Sequence, residues 1–453
     1  MGTMQEQGAA DTIGQVVNVR LMDRPGLWDI HLEAGRISAI TPAKASPLAS
    51  REPTHGLEAL DAQGDLALPA LVETHVHLDT ALSAASGFWN HSGTLFEGIS
   101  RWGKYKKYMS FEDCCTRADI VLRWYLARGV QFIRSHVDST TPGLVGLQAL
   151  LELRRSWQDT MTMQLVAFPQ DGLLTHPQAI GQLEQALTMG ADVVGAIPHV
   201  ERCREEGVAS IRLAFDLAER HGALVDIHCD EIDDPGSRYL EVVMAETSKR
   251  GMAGRVTASH AVALHLYPDA YAERLMAQLA KAGVAVVANP LANLNLQGRF
   301  AGYPKPRGLT RVKELLGHGV AVAFGHDDVV DPWYPLGTAD MWDVVTTGLL
   351  AAHMTTPEEI AAGIHHITTD AAHALHLKDY GLAVGCPAHL IIVDAPNVFE
   401  AIRRRAVVRY GLHGGRLVSH AEPPRWMMRH PQAGQISVDF HLPPQCPPDP
   451  QKV

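Results

Sequence analysis

The chain has 453 residues, 46% of them hydrophobic and 20% charged, with a formal net charge of −11. That length exceeds one small core but suits a large α/β barrel with a satellite domain, and the composition excludes a disordered chain. The acidic balance, without a dense Lys/Arg stripe, excludes nucleic acid as the expected partner, and no apolar run reaches membrane-spanning length.

The N-terminal stretch MGTMQEQGAADT lacks the basic and apolar regions of a secretory signal. Residue 6 is Glu where a myristoylation site carries Ser or Thr. Six cysteines, Cys114, Cys115, Cys203, Cys229, Cys386 and Cys446, contain no CxxC pair. Neither a zinc ribbon nor a dithiol motif is expected, and reduced thiols in a soluble cytoplasmic protein fit the pattern.

From residue 15 to 66 the chain reads as part of a small β-domain. WDIHLEAGRISAI (28–40) alternates apolar and polar residues around an Ala-Gly turn, the pattern of a half-exposed hairpin. HLIIVDA (389–395) and VVRYGLHGGRLVS (407–419) repeat that pattern, so residues 378–420 are expected to complete the same β-sandwich. The proline-rich residues 421–453 are expected to wrap the surface without regular structure.

Between them, residues 67–377 carry eight short apolar runs separated by amphipathic stretches. The runs cover 66–77, 129–138, 161–170, 191–199, 223–231, 255–260, 283–290 and 319–328. Strands alternating with helices predict parallel βαβ units, and eight units predict a (β/α)8 TIM-type barrel. The run FWNHSGTLFEGISRW (88–102) contains Gly93 and Gly98, which permit a bending lid over the strand ends. RWGKYKK (101–107) reads as a solvated helix face.

Each run ends in polar residues: His75 and His77, His136 and Asp138, Gln170, His199, His228 and Glu231, His260, Asn289, Asp327 and Asp328. In such a barrel the C-terminal strand ends form the active face. Residues i and i+2 of a strand share a face, so His75 and His77 both point inward and reach one ion, with Val76 on the other face. Adding His228 and Asp327 gives three imidazoles and a carboxylate, a donor set for Zn2+ or Fe2+. His260 is a further ligand or a group that touches the attacking water. Glu231, three residues beyond His228, is placed to shuttle protons. Asp79 either orients a ligand or begins a loop.

HVHLDT, FPQDG, HCDEIDD, TASH, ANPLANLNLQGR and FGHDDVVDPWYPLG together resemble the amidohydrolase superfamily, and within it the barrel-type bacterial cytosine deaminases. The likeness runs from the first β-segment to about residue 419. HxH alone marks only the superfamily, whereas HCDEIDD and GHDDVVDPWYPLGT are more specific. The resemblance implies one divalent ion on His75, His77, His228 and Asp327. Two-metal relatives carry a bridging lysine at the end of the fourth strand, where this chain reads AIPHVE.

The implied reaction is hydrolytic deamination of cytosine to uracil and ammonia, a step of pyrimidine salvage, by attack of metal-bound hydroxide at C4. Glu231 shuttles the proton, Asp327 acts as ligand and base, and His260 orients the nucleophile. Gln170 and Asp328 bond the polar edge of the ring, and Trp333 packs on its plane. The resemblance also implies a small-molecule nucleobase substrate and a homo-oligomer. The same chemistry on isoguanine, 5-methylcytosine, creatinine or a triazine is the near alternative, and cleavage of a cyclic amide the next. A non-catalytic metal-binding protein is disfavoured, because Glu231 and all the ligands are present. The His/Cys/Cys deaminase design is excluded: HLE at 31–33 lies in a β-segment and no PCxxC occurs.

Overall fold

The computed structural model describes residues 12–43 and 59–442; the first eleven residues, Cys446 and the last prolines lie outside the described residues. The chain divides into two units, one of residues up to Pro69 and from Gly381, the other Ala70–Tyr380.

In the central unit the eight apolar runs form eight parallel strands: β1 (Leu71–Val76), β2 (Val130–Asp138), β3 (Thr162–Phe168), β4 (Val193–Ala196), β5 (Leu224–Cys229), β6 (Val256–His260), β7 (Ala285–Ala288) and β8 (Val322–Phe324). They pair in chain order. Their Val, Ile and Ala content suits strands buried on both faces, as a helix-wrapped parallel sheet requires. At the closing seam, Asp327 donates its backbone N–H to the carbonyl of His75 at 2.7 Å, and His77 donates to the carbonyl of Asp327 at 3.0 Å. The barrel therefore closes through residues of the expected metal centre.

Seven helices are relevant to the strand ends: α1 (Leu95–Tyr105), α2 (Phe111–Ala127), α3 (Val145–Trp157), α4 (Ala179–Met189), α5 (Arg204–His221), α6 (Tyr239–Arg250) and α7 (Asp269–Ala282). Ser110 starts α2 by accepting the N–H of Asp113. Helices α5 and α7 stop at Gly222 (φ 65°) and Gly283 (φ 68°), whose left-handed backbones return the chain to β5 and β7. Away from the active face, Val72, Phe132, Val287 and Ala323 pack with Ala371 and Leu375.

The terminal unit holds two four-stranded sheets. One comprises Gln15–Val19, Trp28–Glu33, Arg36–Pro42 and Ala59–Asp61, and the other Leu66–Pro69, Leu390–Val393, Val408–His413 and Arg416–His420. Val16, Ile30, Ile37 and Leu60 pack with Leu390, Ile392 and Leu412 in one core, the sandwich expected from the two chain ends.

Three details differ from the sequence reading. The apolar run 66–77 is two strands, because Leu66–Pro69 pairs antiparallel with Leu390–Val393 while Leu71–Val76 enters the barrel. The stretch after residue 420 is not wholly irregular: Trp426–His430 and Gly434–Val438 pair as a hairpin. RWGKYKK is not a solvated face throughout, because Trp102, Tyr105 and Lys106 are buried.

Candidate active site

The end of β1 is irregular. Its register with β2 shifts between Glu73 and Val76, a bulge that re-aims the side chains which follow. Glu73 fastens that bulge, accepting from the backbone N–H of His75 (2.9 Å) and of His326 (3.1 Å) and from the Tyr125 hydroxyl (3.0 Å). Burial pushes its carboxyl up to about 8.

Three of the four expected ligands converge on the fourth, or on one another. His75 Nε2 and His77 Nε2 lie 3.3 and 3.5 Å from Oδ1 of Asp327. His77 Nε2 lies 3.1 Å from Nε2 of His228. Nε2 of His75 is buried without a hydrogen-bond partner. An orphaned buried polar atom costs about 1–3 kcal/mol unless a ligand satisfies it. Burial pushes His75, His77 and His228 well below the ordinary imidazole range, so they stand as neutral lone-pair donors, the form a metal ligand needs. Burial, and then the charge of Glu231, push Asp327 upward, a sign that a bound divalent cation reverses. The residues present therefore fit a divalent metal ion.

His260 closes β6, with Nδ1 3.5 Å from Oε1 of Glu231 and 3.8 Å from Oδ2 of Asp327. The amides of Asn293 and Asn289 lie 3.0 and 3.3 Å from the same nitrogen. His260 (φ 68°) and Asp327 (φ 72°) both hold left-handed backbones, a strain of about 1–3 kcal/mol each that is characteristic of functional sites. Burial pushes the Glu231 carboxyl up to about 8, the raised proton affinity that a group taking a proton from water and returning it needs.

The ring-contacting residues expected from the sequence meet the cluster. Gln170, Asp328 and Trp333 line one small pocket with His77, His228, Glu231 and Asp327, and Leu95 of α1 completes its wall. Its volume is about 20 Å3, room for one water. Glu231 and Leu95 also line a neighbouring cavity of about 680 Å3, with Phe96, Ile232, Leu296 and Phe300.

Helix α1 is anchored over these strand ends. Trp102 Nε1 and Lys106 Nζ both donate to Oδ2 of Asp138 (2.7 and 2.9 Å), and Lys106 also reaches Asp171 at 2.6 Å. Two carboxylates waiting at the ends of β2 and β3 explain why Lys106 is buried. Asp79 begins the loop after β1 and touches no ligand: its Oδ2 accepts the N–H of Asp138 at 2.8 Å, linking the ends of β1 and β2.

One residue of the cluster was not foreseen as part of the site. His136 stacks on His75 with ring centroids 3.8 Å apart, and nitrogens of His75, His136 and His228 lie within 4.8 Å of one another. The alternation Arg134, His136, Asp138 along β2 is the signal that places it inside the barrel.

The amidohydrolase family matches residues 93–419. The chain belongs to this family. As an amidohydrolase it is a metal-dependent hydrolase of carbon–nitrogen bonds. The structure is similar to 5-methylcytosine deaminase from Klebsiella pneumoniae liganded with 5-fluorocytosine (TM-score 0.87, 43% identity, covering 92% of this chain and 99% of that one). It is also similar to N-isopropylammelide isopropylaminohydrolase from Burkholderia multivorans (TM-score 0.77, 29% identity, 90% and 98% covered). In sequence, the amidohydrolase is 28% identical over 404 residues to a pterin deaminase of Rhizobium rhizogenes, covering 87% of this chain and 88% of that protein. No helix among the described residues is long and apolar enough to cross a membrane.

Proposed function

We propose that this amidohydrolase deaminates a 4-aminopyrimidine, converting cytosine or its 5-methyl derivative to the corresponding uracil and ammonia. One observation carries the reading: a single pocket joins His77, His228, Glu231 and Asp327 to Gln170, Asp328 and Trp333. It thus sets a hydrolytic cluster against an amide, a carboxyl group and an aromatic plane, the complement of a flat ring with adjacent donors and acceptors. Likeness to a 5-methylcytosine deaminase at 43% identity supports the substrate class.

His75, His77, His228 and Asp327 would hold one Zn2+ or Fe2+ ion, and the absence of a lysine at the end of β4 supports a single ion. Such an ion, when bound, supplies a Lewis acid that brings the pKa of water towards neutrality. Glu231 takes a proton from the attacking water and gives it to ring N3 as oxygen adds to C4. Asp327 takes the second proton from the added hydroxyl, and that proton reaches the amino nitrogen. The C4–N bond breaks with its electron pair on the departing ammonia, and C4 keeps the oxygen as a carbonyl. His260, held by Asn289 and Asn293, orients the water. Gln170 and Asp328 fix the ring edge, and Trp333 covers its face.

A second reading, the same chemistry on a larger amino-heterocycle, is favoured by the 680 Å3 cavity that shares Glu231 with the pocket. Ammonia release from cytosine, 5-methylcytosine, isoguanine, pterin, creatinine and aminotriazines separates the two. The proposal expects the pyrimidines to have the highest kcat/KM; silence on both pyrimidines with turnover of a larger ring overturns it. The reading includes a cytoplasmic setting, supported by five unpaired cysteines among the described residues, and a homo-oligomeric assembly.

A further inference from the structure

Beneath the histidine cluster lies a largely buried polar chain that no step of the proposed reaction uses. His75 Nδ1 is 2.9 Å from Oγ of Ser259, which donates to Oδ1 of Asp226 at 2.6 Å. The other oxygen of Asp226 accepts from Arg134 at 2.9 Å. Arg134 also donates to Thr257 (3.1 Å) and, through Nε and Nη2, to Oε1 of Gln164 (3.1 and 2.9 Å). His75, Asp226 and Ser259 have no exposed surface, and Arg134 has 1%. Five strands, β1, β2, β3, β5 and β6, contribute to this chain.

The direction of each bond follows from proton counting. An Asp226 oxygen paired with a guanidinium belongs to a carboxylate, which has no proton to give. The single hydroxyl proton of Ser259 therefore goes to Asp226. Its oxygen can then only accept from His75, which places the imidazole proton on Nδ1. A neutral ring carries one N–H, so Nε2 is left with a free lone pair, 3.3 Å from Oδ1 of Asp327.

We propose that Ser259, held by the Asp226–Arg134 pair, is a positioning residue for the metal site: it fixes His75 in the Nδ1–H tautomer and so presets Nε2 as a ligand. This rests on the reading of His75 as a ligand. A buried ion pair is an expensive way to stabilise a barrel, since well-packed apolar residues do as well or better. Its place here is explained by the tautomer it enforces. Without the hydroxyl, the imidazole proton can move to Nε2, and that species must be excluded before an ion binds.

The test uses the full chain, stripped of metal. Selective 15N-histidine labelling reads the tautomer, and competition with a chelating dye reads Zn2+ affinity. In the parent, His75 should show a protonated Nδ1 and an unprotonated Nε2. In Ser259→Ala, which removes one hydroxyl and leaves the packing, the two forms should mix and Zn2+ affinity should fall about 10–100-fold. A parent protonated at Nε2 overturns the proposal, and so does a Ser259→Ala chain with unchanged tautomer and affinity. His75→Ala distinguishes the two layers. If His75→Ala binds Zn2+ as tightly as the parent, the ligand reading fails. If it loses affinity while Ser259→Ala does not, only the positioning role fails.

Discussion

The Nε2 atoms of His77 and His228 face each other at 3.1 Å, one just past the end of β1 and the other on β5, on different sides of the barrel mouth. One proton at most can lie between them, and burial, joined by the neighbouring imidazoles, disfavours adding more. A shared cation relieves this opposition of lone pairs. His228→Ala should therefore lose the metal. Elemental analysis should fall from one ion per chain to a small fraction of that. At free metal a thousandfold above Kd the parent gains about 4 kcal/mol of stability from binding, and the variant should not. A full ion per chain in purified His228→Ala would remove His228 from the ligand set.

Glu231 is placed differently, 3.5 Å from His260 and lining the pocket as well as the larger cavity. Glu231→Gln keeps its shape and hydrogen-bonding reach but cannot accept and return a proton. Metal content should stay at the parent level while kcat falls about 10²–10⁴-fold, the usual worth of a positioned acid–base group. Near-parental turnover with metal bound would move proton transfer to another residue.

These two predictions rest on residues that could be read from the sequence, because periodicity marked the strands and the fold puts chemistry at their ends. The eight runs and the inward pair His75 and His77 belong to that legible part, whereas Gln170, Asp328 and Trp333, which line the pocket with His77, were named by the family resemblance. What was not legible depended on partners distant in sequence. The break at Ala70 exists because Leu66–Pro69 pairs with a strand more than 300 residues away. Lys106 looked solvated because Asp138 and Asp171, which bury it, lie on other strand ends. His136 was visible as a strand-end polar residue, but only the stacking on His75 joins it to the cluster.

The small β-domain makes an independent prediction for pH. The rings of His389 and His413 lie tilted against each other with centroids 4.0 Å apart, and burial, followed by their charged surroundings, pushes them down to about 4 and about 3. Unfolded histidine titrates near 6.5. Below that pH the unfolded chain takes up protons that the folded pair refuses. The stability contributed by the neutral rings is thus present above about 6.5 and lost as pH falls towards 4. Urea unfolding of metal-free protein from pH 7.5 to 5 should show His413→Asn losing less stability on acidification than the parent. One histidine accounts for at most ~1.4 kcal/mol per pH unit. Parallel curves for the two proteins would show that this pair does not couple to folding.

Gly98, the fourth residue of α1, tests whether that helix belongs to the active site. A β-carbon there would stand 2.5 Å from Cδ1 and Nε1 of Trp333, too close for the indole to stay where it is. The loop carrying Trp333 has little freedom to give way. Asp331 accepts the N–H of Trp333 at 3.0 Å, and Asn295 donates to its carbonyl at 2.6 Å. Gly98→Ala should therefore tilt the ring rather than move the loop, and the ring forms one wall of the pocket. Misplacing a substrate-positioning group by about 1 Å costs up to about 10² in rate. We expect kcat/KM for the best pyrimidine to fall about 10–100-fold, with KM rising, while metal content is unchanged and overpacking costs no more than about 1–3 kcal/mol of stability. If kcat/KM stays within about twofold of the parent, Trp333 is an anchor for α1 and not a wall for the substrate.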